Sequence, residues 1–144
     1  GVFAPTLTEM FAQVLLKLGT RRAFVVHGHD GLDEISVCAP TRVSELRDGA
    51  VRTYDLDPDR FFGETADPAV LRGGDPVHNA ALLQGVLKGE SGPRRNVVLL
   101  NAAAALVAAG RAPDLAAGLA VAAESIDSGA ARDKLESLVA FTRR

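Results

Sequence analysis

The fold of this chain is decided by the stretch Val25-Val26-His27-Gly28-His29-Asp30-Gly31-Leu32-Asp33-Glu34. It begins as an apolar, β-branched run, reaches a glycine, and continues with polar and acidic side chains. Such runs favour a strand that is covered on both faces, as in a parallel sheet, so we predict a buried strand over residues 23–27. Ligands of open α/β sheets bind outside the carboxyl ends of the strands. We therefore expect a binding site along residues 27–34.

Asp33 and Glu34 carry the clearest chemistry in this stretch. Neighbouring side chains point to opposite faces of a regular strand, whereas in a loop they can converge. Two carboxylates about 4 Å apart repel by roughly 4 kcal/mol at an effective dielectric of about 20, so convergence requires a proton, an arginine or a cation between them. Mg²⁺ takes one or two carboxylates and leaves its other positions to water and phosphates. From these residues alone, a Mg²⁺-phosphate site and a solvated acidic loop both remain open.

The segment before this stretch has the pattern of an amphipathic helix. Thr6 and Glu9 have the spacing of a capping box, and Gly19 is a typical helix stop. Apolar residues recur between them at intervals of three and four. They are Leu7, Met10, Phe11, Val14, Leu15 and Leu18. A helix followed by a strand is the usual beginning of an α/β fold.

The segment after Glu34 predicts a β-hairpin and then helices. Residues 35–38 and 42–46 alternate polar with apolar side chains, and Asp48-Gly49 is a strong turn signal before residues 51–56. Residues 61–74 are expected to be mostly loop. Four helices are then predicted, over residues 77–87, 97–109, 114–126 and 131–142, with Asp114 as a cap. We thus predict one α/β domain over residues 1–144, in which a mixed sheet with a β-hairpin is flanked by helices and the C-terminal half is helical.

Composition limits the classes of partner. The 144 residues include 18 acidic and 16 basic ones, which gives no extended positive field for nucleic acid or an anionic membrane. Cys38 is the only cysteine, so no internal disulfide can form and a cytoplasmic location is favoured. The longest apolar block, residues 97–109, is shorter than the roughly 20 residues that span a bilayer. A first residue of glycine rather than methionine leads us to expect a piece of a longer protein.

Several motifs in the same order resemble the anthranilate phosphoribosyltransferases. The first is the run from His27 to Ser36 with Pro40-Thr41 after it. The others are Glu45-Leu46-Arg47-Asp48-Gly49, Arg72-Gly73-Gly74-Asp75, Asn79-Ala80-Ala81, the run from Leu99 to Leu106, and the run from Ala123 to Gly129. The resemblance covers the C-terminal part of that family. The family's Gly-Thr-Gly-Gly-Asp phosphate loop is not among these residues, so we expect the chain to be inactive alone.

The resemblance implies a reaction and a set of site residues. The family transfers a phosphoribosyl group from phosphoribosyl pyrophosphate to anthranilate, releasing pyrophosphate in tryptophan biosynthesis. By this comparison Asp33 and Glu34 bind the Mg²⁺ that is coordinated to the pyrophosphate, and His27 and Gly28 lie at the edge of the anthranilate site. No residue of the chain is a candidate nucleophile. The family is commonly a homodimer, so we expect a homodimer for the intact protein.

Each candidate also has a structural explanation. His27 can be a buried histidine bonded to a backbone carbonyl, and Gly28 can be a turn glycine. We expect His29 and Asp30 to be solvated loop residues.

Two further clusters of the sequence also have an ordinary explanation. Asp75 is expected to cap a helix rather than to leave an anion-binding loop. Arg94-Arg95 is expected to be a solvated corner.

Two other functions remain open. The chain resembles relatives of the same fold that have lost the transferase activity and bind nucleic acid. Pyrimidine nucleoside phosphorylases share the architecture but not the Asp-Gly-Leu-Asp-Glu run.

Overall fold

The structure is a computed structural model that describes residues 1–143, and it is built from three strands and six α-helices within those residues. A short 3-10 helix, Pro68–Leu71, lies between the second and third α-helices. In chain order the elements are α1 Thr6–Lys17, β1 Arg22–Gly28, β2 Thr41–Arg47, β3 Ala50–Leu56, α2 Asp59–Phe62, α3 Pro76–Leu87, α4 Pro93–Ala108, α5 Leu115–Asp127 and α6 Ala130–Thr142.

The three strands form one sheet in the order β1-β2-β3. Arg22 pairs with Arg47 and Arg47 pairs with Ala50, and both pairings are antiparallel. The predicted α/β class, the hairpin and the helical C-terminal half are confirmed. The prediction of a mixed sheet with a parallel β1 differs from this sheet, which is antiparallel throughout residues 1–143. The apolar run of β1 reflects helices on both faces of the sheet rather than parallel neighbours.

The turn between β2 and β3 follows the sequence signal closely. Asp48 and Gly49 both have positive φ, 52° and 80°, as a two-residue hairpin of type I′ requires. Residues 35–38, by contrast, do not form the predicted strand: residues 35 and 36 are irregular and residues 37 and 38 form bends. The amides of Ile35, Ser36 and Cys38 donate to side chains instead of to a neighbouring strand, as that of Ser36 does to Oγ1 of Thr41 at 2.9 Å.

α1 covers one face of the sheet and α4 the other. On the α1 side, Val2 and Ala12 pack against Val25 of β1. On the α4 side, Leu100 and Ala104 pack in a larger cluster with residues of all three strands and of the 35–38 segment. This cluster is the main core, and it lies directly behind the loop that follows β1.

The predicted extent of α1 is confirmed, but its predicted cap and buried face are wrong. Pro5 is the N-cap, and Oγ1 of Thr8 donates to the carbonyl of Pro5 at 2.9 Å, so no capping box forms. Thr8 is buried, whereas Phe11 and Leu18 are exposed. Thr8 turns inward because its hydroxyl accepts a hydrogen bond from Ser44 of β2 at 3.0 Å. A pattern of apolar residues cannot reveal a helix face that is anchored by hydroxyl groups.

The four C-terminal helices appear where the periodicity predicted them, with α4 beginning earlier than expected, at Pro93. The carboxylate of Asp114 accepts from the amide of Ala117 at 2.8 Å, which confirms it as the cap of α5. α5 approaches α4 closely at Gly118, where a Cβ atom would lie 2.9 Å from the carbonyl oxygen of Ala103. None of the helices described has the length and apolar character needed to cross a bilayer.

Candidate substrate and metal site

His27 lies near the end of β1 and is buried, with 8% of its surface exposed. Its Nδ1 is 2.8 Å from the carbonyl oxygen of Val2. A carbonyl oxygen can only accept, so Nδ1 must carry the proton in this bond. In the neutral ring, Nε2 is then an acceptor. The expected bond from a buried histidine to a backbone carbonyl is present, and it leaves the second ring nitrogen with a defined role.

Gly28 begins a tight turn. Its amide donates to the carbonyl of Leu32 at 2.7 Å, and its carbonyl accepts from the amide of Gly31 at 2.8 Å. A Cβ atom at position 28 would lie 2.5 Å from Oδ1 of Asp30 and 3.3 Å from Cβ of Ser36. Gly31 has a φ of 94°, which favours glycine. The glycines therefore allow the chain to reverse immediately after the buried strand.

Asp30 holds the interior of this loop together. One carboxylate oxygen accepts from the hydroxyl of Ser36, and the other accepts from the amide of Leu32 at 3.3 Å. The oxygen of Ser36 in turn accepts from the amide of Cys38 at 2.9 Å. Asp30 is exposed, as expected of a solvated loop residue, and its carboxylate in addition supplies hydrogen bonds to the turn that its sequence position did not indicate.

The surroundings of Asp30 also affect Cys38. Burial, with the negative charge of Asp30 as a second cause, raises the pKa of the Cys38 thiol above its ordinary value. Cys38 is partly buried and is a free cysteine. The thiol is therefore kept protonated at neutral pH.

Asn101 of α4 connects the core to the same loop. Its Oδ1 accepts from the amide of Ile35 at 2.9 Å, and its Nδ2 donates to the carbonyl of Ile35 at 2.8 Å. The two residues are 66 positions apart. The sequence offers no local signal for these two hydrogen bonds. The single hint that Asn101 has a particular role is its place in the run from Leu99 to Leu106, one of the motifs that resemble the anthranilate phosphoribosyltransferases.

Asp33 and Glu34 lie between these two supports, and both are exposed. Within residues 1–143, neither carboxylate takes part in a salt bridge or a side-chain hydrogen bond with the protein. The described residues also contain no group of three or more histidine, cysteine or acidic side chains placed to share a metal ion. The donor set fits Mg²⁺ that is bound by two carboxylates and completed by water and phosphate oxygens.

The comparisons with known proteins add an independent observation. The model of the glycosyl transferase family, a/b domain, matches residues 1–132. The chain belongs to this glycosyl transferase family. The anthranilate phosphoribosyltransferase of Desulfosudis oleivorans is 64% identical over 144 residues, which are 99% of this chain and 42% of that protein. The chain thus spans less than half the length of the curated relatives that it matches.

Solved structures of the glycosyl transferase family agree with the fold. Anthranilate phosphoribosyltransferase from Thermus thermophilus superposes with a TM-score of 0.88 at 41% identity, covering 100% of this chain and 42% of that one. The enzyme from Saccharomyces cerevisiae, solved in complex with PRPP and Mg, gives a TM-score of 0.79 at 30% identity, covering 94% of this chain and 40% of that one. The same yeast enzyme has been solved with 4-fluoroanthranilate. The resemblance to anthranilate phosphoribosyltransferases is confirmed.

The remaining candidates have structural roles in this member of the family. His29 lies 3.1 Å from the carboxylate of Asp55 at the surface. Asp75 caps α3 by accepting from the amide of His78 at 2.8 Å, as predicted.

The arginine pair departs from its prediction. Arg95 is not a solvated corner, because only 12% of its side chain is exposed and it pairs with Asp127 at 2.9 Å. This ion pair ties the start of α4 to the end of α5.

Proposed function

We propose that the protein containing this chain transfers a phosphoribosyl group from phosphoribosyl pyrophosphate to the amine of anthranilate and releases pyrophosphate. The observation that carries this proposal is the pair of neighbouring acids Asp33 and Glu34. Both are exposed, and neither carboxylate has a salt bridge or side-chain hydrogen bond within residues 1–143. Hydrogen bonds hold their loop on both sides. Family membership supports the proposal, as does the yeast relative solved with PRPP and Mg. The pathway would be tryptophan biosynthesis.

Asp33 and Glu34 act in this proposal as the ligands of Mg²⁺. The pyrophosphate gains negative charge as its bond to ribose breaks, and Mg²⁺ when bound neutralises that charge. The two carboxylates hold the cation at the loop and compete little for its other positions, which phosphate oxygens and water fill. No covalent intermediate with the protein is required, and the chain supplies no catalytic nucleophile.

His27 and Gly28 lie in this proposal at the edge of the anthranilate site. The bond from Nδ1 of His27 to Val2 leaves Nε2 of the neutral ring as an acceptor, which suits an N–H group such as the amine of anthranilate. Gly28 keeps the turn tight at this edge, because a Cβ atom there would meet Asp30 and Ser36. The yeast complex with 4-fluoroanthranilate supports a substrate of this class.

The scope of the proposal follows from the relatives. The chain covers 42% of the Desulfosudis oleivorans protein, so the activity is proposed for the complete protein. Homodimer formation and a cytoplasmic location are also predictions for the complete protein. The net charge of −2 gives no support to the nucleic-acid-binding alternative.

Replacing Glu34 by alanine in the complete protein tests the metal role. We expect turnover at limiting Mg²⁺ to fall about tenfold or more, since disturbing a metal's ligand shell commonly costs about 10–100-fold. Initial rates of anthranilate consumption, followed by its fluorescence across a Mg²⁺ titration, give the measurement.

Glu64→Ala is the matched control, because Glu64 is another exposed glutamate in a loop, after α2. This variant should keep the rate and the Mg²⁺ dependence of the parent. An unchanged rate and Mg²⁺ dependence in Glu34→Ala would remove the metal role.

A further inference from the structure

We propose that Asn101 is the positioning residue of the acid pair Asp33-Glu34. The inference rests on the proposed metal role of that pair. In it, Asn101 of α4 fixes the position of the two carboxylates. Asn101 itself touches neither the metal nor a substrate in this proposal. It acts on the pair through the backbone of Ile35.

The side chain of Asn101 makes two hydrogen bonds to the backbone of Ile35, an arrangement that we call the clasp. Oδ1 of Asn101 accepts from the amide of Ile35 at 2.9 Å, and Nδ2 donates to the carbonyl of Ile35 at 2.8 Å. A backbone amide can only donate and a carbonyl can only accept, so the orientation of the Asn101 amide is determined. A third bond, from Nδ2 to the carbonyl of Val97 at 2.9 Å, holds the side chain against its own helix.

The clasp bears directly on Glu34. The nitrogen that donates to Asn101 belongs to the peptide group joining Glu34 to Ile35, and peptide groups are planar, so fixing that group fixes the carbonyl end of Glu34. The side chain of Ile35 is 2% exposed and packs in the same core cluster as Leu100. The metal ligands are thus attached directly to the main core.

No other polar contact holds the acid pair itself among the described residues. Within residues 1–143, the backbone groups of Asp33 and Glu34 make no hydrogen bond outside regular elements. On the amino side, Leu32 is tied to Gly28 and Asp30. On the carboxyl side, the clasp of Asn101 is the first tie. Without it, the next polar tie would be at Ser36, whose amide donates to Oγ1 of Thr41.

Asn79 offers a matched comparison. It forms the same two-bond clasp around Gly74, with Oδ1 accepting from the Gly74 amide at 2.8 Å and Nδ2 donating to the Gly74 carbonyl at 3.0 Å. This clasp lies at the start of α3, on a loop without a proposed ligand. Replacing Asn79 by alanine removes a clasp of the same two bonds from an exposed place that should not affect metal binding.

The test uses the complete protein labelled with ²H and ¹⁵N, with Mn²⁺ and inorganic pyrophosphate as the probe. Paramagnetic broadening of the Asp33 and Glu34 amide signals reports binding, and hydrogen exchange of the Ile35 amide reports the clasp. In Asn101→Ala we expect the Mn²⁺ concentration for half-broadening to rise about fivefold or more, as the loss of two hydrogen bonds allows. Exchange at Ile35 should accelerate, and Asn79→Ala should change neither quantity.

A purely structural role is separated by Val86→Ala, which opens a second core cluster that does not include Ile35 and leaves the clasp in place. This variant should lower the melting temperature without moving the Mn²⁺ midpoint. Asn101→Ser, whose short hydroxyl cannot span both groups of Ile35, replaces Asn101→Ala if the alanine variant does not fold, and the same change is expected.

The outcomes distinguish the inference from the proposed function. Broadening at Asp33 and Glu34 in the parent chain with an unchanged midpoint in Asn101→Ala would overturn the positioning role and leave the metal site intact. A parent chain without broadening there would contradict the metal site, and the positioning role would fall with it. A midpoint that moves to higher Mn²⁺ concentration in Asn101→Ala, and not in the control variants, would establish the inference.

Discussion

Single residues of the loop after β1 differ in how far their roles could be predicted from the sequence. Asp33 and Glu34 could be predicted as an exposed pair, because adjacent charged side chains in the loop after a buried strand do not pack in an apolar core. The role of Asp30 could not, since its partner Ser36 is six residues away and nothing in the local pattern joins them. Asn101 was still less accessible, because its contact with Ile35 depends on the packing of α4 against the sheet.

Gly28→Ala tests the tightness of the turn. The added methyl group would lie 2.5 Å from Oδ1 of Asp30, and that carboxylate is held in place by Ser36 and Leu32. We expect a loss of about 1–3 kcal/mol in the free energy of unfolding, as for other overpacked sites. Urea denaturation of the two chains gives the measurement. Equal stability would show that the Asp30 carboxylate moves aside freely.

Cys38 provides a prediction on pH. Burial and the charge of Asp30 raise the pKa of its thiol above 9.0 in the folded chain. The folded state then holds the proton to higher pH than the unfolded state does, so this contribution to stability is complete below the unfolded thiol's pKa and is lost as pH rises through the folded value. Iodoacetamide should therefore reach half-maximal alkylation rate at higher pH in the folded chain than in the chain unfolded by guanidinium.

Asp30→Asn is the informative variant for this pH profile. Removing the negative charge should lower the alkylation midpoint of the folded chain, although burial keeps it above the unfolded value. A midpoint that stays the same or rises in Asp30→Asn would contradict the assigned cause.

At the scale of whole elements, local signals were reliable where geometry is local. The Asp48-Gly49 turn and the Asp114 cap needed only neighbouring residues to be recognised. The buried face of α1 was misread, because Thr8 turns inward to meet Ser44, a residue of the sheet. The direction of pairing of β1 was misread because an apolar strand shows only that both faces of the sheet are covered. It does not distinguish a parallel neighbouring strand from an antiparallel one.

Gly118→Ala tests the approach of α5 to α4. The new Cβ would meet backbone atoms of Ala103 at 2.9 and 3.0 Å, and backbone cannot rotate away. We expect a loss of about 1–3 kcal/mol in the free energy of unfolding. Gly85→Ala in α3 is the control, because its nearest obstacle is the flexible end of Glu90. That variant should be neutral or gain up to about 1 kcal/mol in helix propensity. Equal effects of the two substitutions would contradict the close approach.

At the scale of the whole molecule, the α/β class and the family could be predicted from ordered motifs, since these extend over most of the chain. The proposed activity is that of the complete protein, and the relatives are more than twice as long as this chain. What the described residues contribute is one supported loop: a buried histidine at its base, an aspartate inside it, an asparagine behind it and two free acids at its surface. The central claim is that those acids hold a cation which in turn holds a diphosphate.

The most direct test of that claim is a crystal of the complete protein grown with phosphoribosyl pyrophosphate and Mn²⁺, with diffraction data collected at the manganese absorption edge. We predict an anomalous peak about 2.1 Å from carboxylate oxygens of Asp33 and Glu34, with pyrophosphate oxygens completing the coordination. A sugar diphosphate bound with its manganese elsewhere, and no peak beside these two carboxylates, would contradict the account.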